Sequence, residues 1–150
     1  MEDIRKQAKR KALSLLTDMD RTEQQLRTKL KAKSYSDDVV EEAIDYVKSF
    51  GYINDGNYAK RFVLSKQRSK SRREIYAALC ERGIDRDIAL KALDECYEEY
   101  DEVDTIRLLA AKKSFSNEDS SDVEKRKIYA YFLRKGFRNE DIRQVIQVSF

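Results

Sequence analysis

The sequence predicts an all-α protein of three tandem three-helix repeats, with helix-turn-helix-like units, in an elongated, curved array. Three observations predict this fold class. The 150 residues include no Pro and only four Gly, so little in the chain favours β-turns or interrupts helices. Hydrophobic residues make up 41% of the chain, which is enough to form a core although 39% of residues are charged. The third observation is an internal repeat, and a compact nine-helix bundle is the alternative packing.

The repeat is centred on a small residue that follows a helix, and its period is 49 and then 53 residues. In each copy apolar residues stand eight and four positions before this residue and one position after it. The copies are Leu26, Leu30, Ser34 and Tyr35, then Ile75, Leu79, Gly83 and Ile84, then Ile128, Phe132, Gly136 and Phe137. Apolar residues four apart form one helical stripe, and a Gly past the helix end can adopt the left-handed cap. Each copy therefore predicts a pair of helices joined by a turn.

The remaining elements follow from local signals in chain order. A further helix precedes each pair, and these three are predicted over roughly residues 4–17, 57–68 and 102–113. Capping-type residues open the second helix of each pair, namely Ser36–Asp37, Asp85 and Asn139. Breaks are expected at 51–56 and 99–102, with a polar loop at 114–122. The predicted domains are 1–54, 55–101 and 102–150.

Composition excludes several classes of function. The chain contains no His, so a His-based catalytic triad, metal site or proton switch is ruled out. We therefore expect a protein that is not an enzyme and uses no cofactor or metal. Cys80 and Cys96 lie in predicted helices, which suits reduced thiols in a cytoplasmic protein. No apolar run approaches eighteen residues, so we expect neither a membrane span nor a secretory signal.

The formal net charge of +3 hides a segregation of charge along the chain. Net charge is +5 over residues 1–36, +6 over 57–82 and +5 over 125–143, but −7 over 85–104. Basic residues thus collect on the first two helices of the repeats, and acidic residues on the third. Basic bands of this kind can meet a phosphate backbone.

Two basic clusters supply the candidate residues for contact with a polyanion. One lies at the joint between two helices and the other begins after the polar loop. The candidates are Arg61, Lys66, Arg68, Lys70, Arg72 and Arg73 in the first cluster, and Lys125, Arg126, Lys127 and Arg134 in the second. A solvated, purely structural face is the alternative for both clusters. Tyr131 shares a helical stripe with Lys127 and Arg134, and it either stacks on an unpaired base or packs in the core.

The second helix of each pair argues against sequence-specific DNA recognition. In a helix-turn-helix protein this helix enters the major groove. Here these helices are rich in Asp and Glu, which phosphates repel, and only Arg143 is suited to a base contact. Any DNA binding is therefore expected to be independent of sequence.

The segment from Phe50 to Val63, which reads Phe-Gly-Tyr-Ile-Asn-Asp-Gly-Asn-Tyr-Ala-Lys-Arg-Phe-Val, carries a resemblance to a known family. Together with the turn segment Leu79-Cys-Glu-Arg-Gly-Ile84 and the three repeats, it resembles the RecX family of bacterial regulators of the RecA recombinase. The resemblance covers nearly the whole chain, although Ser34 stands where the family often has Gly.

This resemblance implies a regulator rather than an enzyme. Family members bind the RecA–DNA filament and typically suppress its ATP hydrolysis, strand exchange or extension, in recombination, DNA repair and the SOS response. The expected partners are the RecA filament and single- and double-stranded DNA without sequence specificity, bound by a monomer. In our hypothesis the bases face DNA phosphates and the acids face basic filament surface. The alternative is a sequence-tolerant DNA-binding helical module with no specific action on RecA.

Overall fold

The computed structural model describes residues 3–149, which form nine α-helices and no strand. The helices are α1 (Ile4–Asp18), α2 (Glu23–Lys31), α3 (Asp37–Ser49), α4 (Asp55–Lys66), α5 (Arg72–Glu81), α6 (Arg86–Cys96), α7 (Glu102–Lys112), α8 (Asp122–Lys135) and α9 (Asn139–Arg143). The predicted all-α class and its three helix triplets are confirmed. None of the helices within the described range combines the length and the apolar character needed to cross a membrane.

The structure places α4 two residues earlier than predicted at both ends, at Asp55–Lys66 instead of 57–68. The amides of Ser69 and Lys70 both donate to the Lys66 carbonyl at 2.9 Å, so the chain turns at this point. Arg68 consequently lies in the turn that follows the helix. It does not share a helical face with Arg61, as the longer helix had implied.

The turn residue of every repeat adopts the left-handed backbone conformation that the sequence predicts. The φ angle is 66° at Ser34, 82° at Gly83 and 98° at Gly136. After Gly83 and Gly136 the next amide reaches back across the helix end, at 3.1 Å and 3.2 Å, to the carbonyl five residues earlier. This is the hydrogen bond of a Schellman motif, which satisfies a carbonyl that the helix leaves without a donor.

Two of the three predicted caps are confirmed. Ser36 and Asp85 each accept a hydrogen bond from an amide of the following helix, at 3.4 Å and 2.9 Å. The prediction for Asn139 is wrong, because α9 begins at this residue and Arg138 occupies the cap position without a side-chain hydrogen bond. The amide oxygen of Asn139 instead accepts a hydrogen bond from the hydroxyl of Tyr129.

The chain forms two compact units, each with a core of its own. The first contains the residues up to Lys60 together with Leu79–Ala89, and the second contains Arg61–Ala78 and the residues from Leu90 onward. Fully buried side chains in the first core include Leu26, Leu30, Val40 and Ile44. Those in the second include Ile106, Phe132, Ile142 and Ile146.

Each unit contains the same docking arrangement between the second helix of one repeat and the turn of the next. In the first unit Thr22 caps α2, and its hydroxyl donates at 2.6 Å to the carbonyl just before Gly83. In the second unit Ser71 caps α5, and its hydroxyl donates to the carbonyl just before Gly136. Thr22 and Ser71 are both 0% exposed, so each hydroxyl is buried with its hydrogen bonds made.

A carboxylate from the next repeat completes each arrangement. The first amide of α2, at Glu23, donates to Asp55 at 2.9 Å, and the first amide of α5, at Arg72, donates to Glu102 at 3.1 Å. The pKa of both carboxyl groups is raised above its ordinary value, because burial raises it by more than the hydrogen bond from the amide lowers it. The repeats are thus joined by buried polar contacts at the same positions of the repeat.

Candidate nucleic-acid interface

Buried polar residues fix the backbone of the joint between α4 and α5. Gln67 is 8% exposed and Ser71 is 0% exposed. The hydroxyl of Thr105 donates to the Gln67 carbonyl, and the hydroxyl of Ser71 donates to the Lys135 carbonyl. These two hydrogen bonds therefore hold the backbone of the joint at Gln67 and at Ser71. Four exposed cations lie between and beside these anchors, and we call them the joint cluster: Lys66, Arg68, Lys70 and Arg73.

The four cations of the joint cluster form no ion pair with the described residues. Two of them lie over aromatic rings, Arg68 at 5.8 Å from the centre of Tyr100 and Lys66 at 6.0 Å from that of Phe62. Arg73 packs its aliphatic stem against Gly136. These contacts orient Lys66, Arg68 and Arg73 without using their N–H donors, which leaves the donors available to phosphate oxygens.

Arg72 and Arg61 differ from the joint cluster. The guanidinium of Arg72 pairs with Asp94 and lies 5.3 Å from the ring centre of Tyr97, and the residue is half-buried. Arg72 is therefore engaged within its own unit. Arg61 is exposed on α4, more than one helical turn before the joint.

The second predicted cluster lies on α8, where Arg126, Lys127 and Arg134 are exposed. Lys127 and Arg134 are separated by seven residues, or about 10 Å along the helix, and both point away from the buried face. Lys125 is half-buried, because it shares the helical face of Tyr129 and Phe132. We call the three exposed residues the α8 cluster.

Tyr131 is half-buried and packs against the core of the second unit. Its ring meets the edge of Phe132 with centroids 5.3 Å apart. The cations over the ring are Lys113 at 4.2 Å and Lys135 at 5.3 Å. This arrangement favours the packing interpretation of Tyr131 over base stacking.

Part of the acidic segment lines a pocket of about 730 Å³ in the second unit. Its walls include Tyr97 and Tyr100, whose rings meet edge to face at 5.9 Å, and the side chain of Arg138. The acidic residues that line it are Glu98, Glu99, Asp101, Glu102 and Asp104. Burial raises the pKa of the Tyr97 hydroxyl above its ordinary value of 10.0.

One aromatic group of the first unit, exposed at Phe50 and Tyr52, was not among the predicted site residues. Phe50 lies between Tyr46 and Tyr52, with ring centroids 5.1 Å from the former and 6.1 Å from the latter. The spacing of four between Tyr46 and Phe50 is a helical signal that was available in the sequence. A break at 51–56 was also predicted, but the sequence did not show that the turn at Gly51 would bring Tyr52 beside Phe50.

Three models of RecX domains match this chain in order. The first three-helix domain of RecX matches residues 8–46, the second matches 54–93 and the third matches 99–146. The chain belongs to the RecX family. This confirms the resemblance that the turn segments and the Phe50–Val63 segment indicate. The domain boundaries at 54 and 101 stay a prediction.

Curated relatives agree with this assignment. The chain is 39% identical to the regulatory protein RecX of Caldanaerobacter subterraneus over 145 residues, which are 96% of this chain and 71% of that protein. It is 31% identical to the regulatory protein RecX of Clostridium beijerinckii, over 93% of this chain and 66% of that protein. The chain thus spans about two thirds of the length of these relatives.

Solved structures share the fold. A crystal structure of RecX from Lactobacillus salivarius superposes with a TM-score of 0.81 at 29% identity, over 98% of this chain and 97% of that one. A second crystal structure, of a regulatory protein RecX, gives a TM-score of 0.82 at 21% identity, over 97% of this chain and 73% of that one.

Membership in this family of regulators confirms the predicted regulatory role and the prediction that the protein is not an enzyme.

Proposed function

We propose that this RecX-family chain binds the RecA–DNA filament and inhibits RecA's ATP hydrolysis, strand exchange and filament extension, in recombination and DNA repair. We further propose that it acts in the cytoplasm as a monomer and contacts single- and double-stranded DNA without sequence specificity. The observation that carries the proposal is the joint cluster, a set of exposed cations with no ion pair on a backbone fixed by buried hydrogen bonds. Membership in a family of regulatory proteins supports the choice of RecA as the target.

The arrangement of charge in the second unit suits a phosphate backbone. The Ser71 bond to the Lys135 carbonyl brings the joint to the C-terminal end of α8, where Arg134 lies. The joint therefore lies next to the end of α8 that carries Arg134, within the same unit. Contacts to phosphates alone carry no sequence information, which agrees with the acidic third helices of the repeats.

The acid-lined pocket suits a basic protein surface. It concentrates carboxylates beside two tyrosine rings, a combination that can receive a Lys or Arg side chain from the filament. The bases would then contact DNA and the acids the protein of the same filament. Arg72 and Arg138 also line this pocket, so they offset part of its negative charge.

The decisive experiment measures ATP hydrolysis by RecA on single-stranded DNA that RecA already coats. We expect the wild-type chain to lower the rate. The double variant Lys66→Ala/Lys70→Ala should need about tenfold more protein for half-inhibition, because each lost phosphate contact weakens binding. The matched control is Arg86→Ala/Lys91→Ala, which removes two exposed cations from the acidic segment and should behave as wild type.

The alternative function, a DNA-binding module without specific action on RecA, gives a different result. Such a module competes with RecA for bare DNA but leaves the ATPase of a preformed filament unchanged at saturating concentration. That outcome would overturn the RecA proposal and leave the joint cluster as a general DNA contact. Failure to bind DNA at all would overturn both functions.

A further inference from the structure

The N-terminus of α8 carries the same signals as the two helix N-termini on which a following repeat docks. All three helices begin with a Ser or Thr cap whose side-chain oxygen accepts a hydrogen bond from the amide three residues later. The caps are Thr22 in α2, Ser71 in α5 and Ser121 in α8. Thr22 and Ser71 are buried beneath the turn that docks on them, whereas Ser121 is exposed. No later repeat among residues 3–149 covers the cap of α8.

The groups that hold a docked repeat at α2 and α5 are arranged differently at α8. The Ser121 hydroxyl donates at 3.2 Å to Glu124 of its own helix, instead of to the carbonyl of a turn. The first amide of α8, at Asp122, donates to none of the residues that the structure describes, whereas the first amides of α2 and α5 each donate to a carboxylate. Val123, the second residue of α8, is 58% exposed. In the described part of the chain, the N-terminus of α8 is therefore one half of a repeat joint without the other.

The turn at Ser34 is the other half of such a joint. In the two docked turns, the carbonyl just before the glycine accepts the hydrogen bond from the cap hydroxyl. The first turn has the same left-handed backbone, with a φ of 66° at Ser34. The corresponding carbonyl, that of Lys33, accepts no hydrogen bond from the described residues, and both residues are exposed. The first repeat thus presents a turn that no helix N-terminus of the described chain covers.

The side chain of Ser34 distinguishes the first turn from the two that are docked. A Cβ built on Gly83 would lie 2.3 Å from the Cβ of Gln24, the second residue of α2, and real Cβ atoms do not approach so closely. Every residue except glycine has a Cβ at that second position, so the overlap does not depend on which residue stands there. A joint of the same geometry at α8 would therefore force the Cβ of Ser34 into Val123. Overlap of this kind is destabilising unless the neighbour shifts.

We infer that the N-terminus of α8 and the turn at Ser34 are complementary surfaces, that the partner they fit is a second copy of this chain, and that the Ser34 side chain keeps wild-type copies apart. In the joint, the Ser121 hydroxyl of one copy would donate to the Lys33 carbonyl of the other, as Thr22 does to the Arg82 carbonyl. The two surfaces differ, so each copy can bind one neighbour through its turn and another through α8. The inference concerns self-association, and it depends on neither DNA nor RecA.

Ser34→Gly tests the inference, because it removes the blocking side chain and places glycine in a left-handed turn that suits it. In sedimentation equilibrium we expect wild type to keep the mass of one chain up to about 1 mM, a range that detects millimolar dissociation constants. The mean mass of Ser34→Gly should rise with concentration. The matched control is Ser114→Gly, at the other described Ser with a positive φ, 56°, and it should behave as wild type. A monomeric Ser34→Gly, or equal association of all three proteins, overturns the inference.

A mixing experiment identifies the two surfaces. The variant Ser34→Gly/Val123→Glu has an unblocked turn, and the carboxylate on its α8 prevents it from binding itself. With a fluorescent label and at low concentration, it should bind wild type, whose α8 is intact, and its anisotropy should rise on titration.

Two further titrants locate the contact. Val123→Glu should bind the labelled variant about tenfold more weakly than wild type does, because the contact would bury an unpaired charge. The control Leu108→Glu changes an apolar residue of the same unit that is 45% exposed, and it should bind as wild type. Circular dichroism checks that every variant folds. Binding that is unaffected by Val123→Glu, or is weakened equally by both substitutions, overturns the assignment of the surface to α8.

Discussion

At the residue scale, the space available around the turn residue differs between the repeats. A Cβ on Gly83 would lie 2.3 Å from the Cβ of Gln24, and one on Gly136 would lie 2.9 Å from the Cδ of Arg73. Gln24 and Arg73 are the second residues of α2 and α5, so a glycine is needed where the preceding repeat docks. Ser34 shares the left-handed backbone, but no earlier repeat of the described residues packs against it. This explains why a serine is tolerated at 34.

Alanine substitutions at Gly83 and Gly51 separate the cost of a left-handed backbone from the cost of steric overlap with a neighbouring helix. Gly83→Ala should lower the free energy of unfolding by about 3 kcal/mol, from the left-handed backbone and from overlap with Gln24. Gly51→Ala should cost only about 1 kcal/mol, because its φ is also positive, at 76°, but a Cβ there meets nothing within 4 Å. Urea denaturation of both variants measures the difference. Equal costs would contradict the docking role of Gly83.

Asp55 gives a prediction on pH dependence. Burial raises the pKa of its carboxyl above the ordinary value of 3.8. The folded state therefore holds the proton more tightly than the unfolded state, and this group costs stability as the pH rises through the raised pKa. Asp55→Asn keeps an oxygen for the Glu23 amide and removes the charge. We expect this variant to be more stable than wild type near pH 7, and the difference to be much smaller at about pH 3, below the ordinary pKa of the carboxyl.

Asp55→Ala is the matching control. It removes the acceptor for the Glu23 amide, so it should be less stable than wild type at both pH values. Urea midpoints of the three proteins at each pH provide the measurement. A stability gain of the Asn variant that grows on acidification would contradict a raised pKa.

At the element scale, the N-cap residues of α5 and α8 differ in the number of hydrogen bonds that they make. Ser71 caps α5 and also donates to the Lys135 carbonyl, whereas Ser121 caps α8 and is exposed. Ser121→Ala should cost about 1 kcal/mol, the usual value for a lost cap. Ser71→Ala should cost about 2–4 kcal/mol, because it also deprives the Lys135 carbonyl of its donor. Chemical denaturation distinguishes the two, and similar costs would show that the contact to Lys135 adds no stability.

The elements that sequence reasoning could predict are those that depend on near neighbours. The left-handed turns at Ser34, Gly83 and Gly136 follow from a small residue after an apolar stripe, and all three are present. The hydrogen bond from the Thr22 hydroxyl to the Arg82 carbonyl joins residues 60 positions apart, so no local sequence pattern predicts it. Asn139 was predicted as a cap from its type alone, but packing gives its amide oxygen to Tyr129.

At the whole-molecule scale, charge segregated along the sequence is partly neutralised by the fold. The clustering of cations at 66–73 was visible in the sequence, and the structure leaves four of them exposed. The difference between Arg72 and its neighbours was not visible, because its partner Asp94 is 22 residues away. Lys135 likewise pairs with Glu74 at 3.6 Å. The number of cations available to DNA is therefore a property of the folded molecule.

The salt dependence of DNA binding measures that number. Replacing the four residues of the joint cluster by Gln should make the plot of log affinity against log salt shallower by about 3 for single-stranded DNA, since each phosphate contact contributes about 0.7. Arg72→Gln should leave the slope unchanged, because Arg72 is already paired with Asp94. Fluorescence anisotropy across a series of salt concentrations provides both slopes, and circular dichroism verifies folding. A slope that falls as much per charge for Arg72→Gln as for the joint cluster would show that the fold does not divide these arginines into structural and DNA-binding groups.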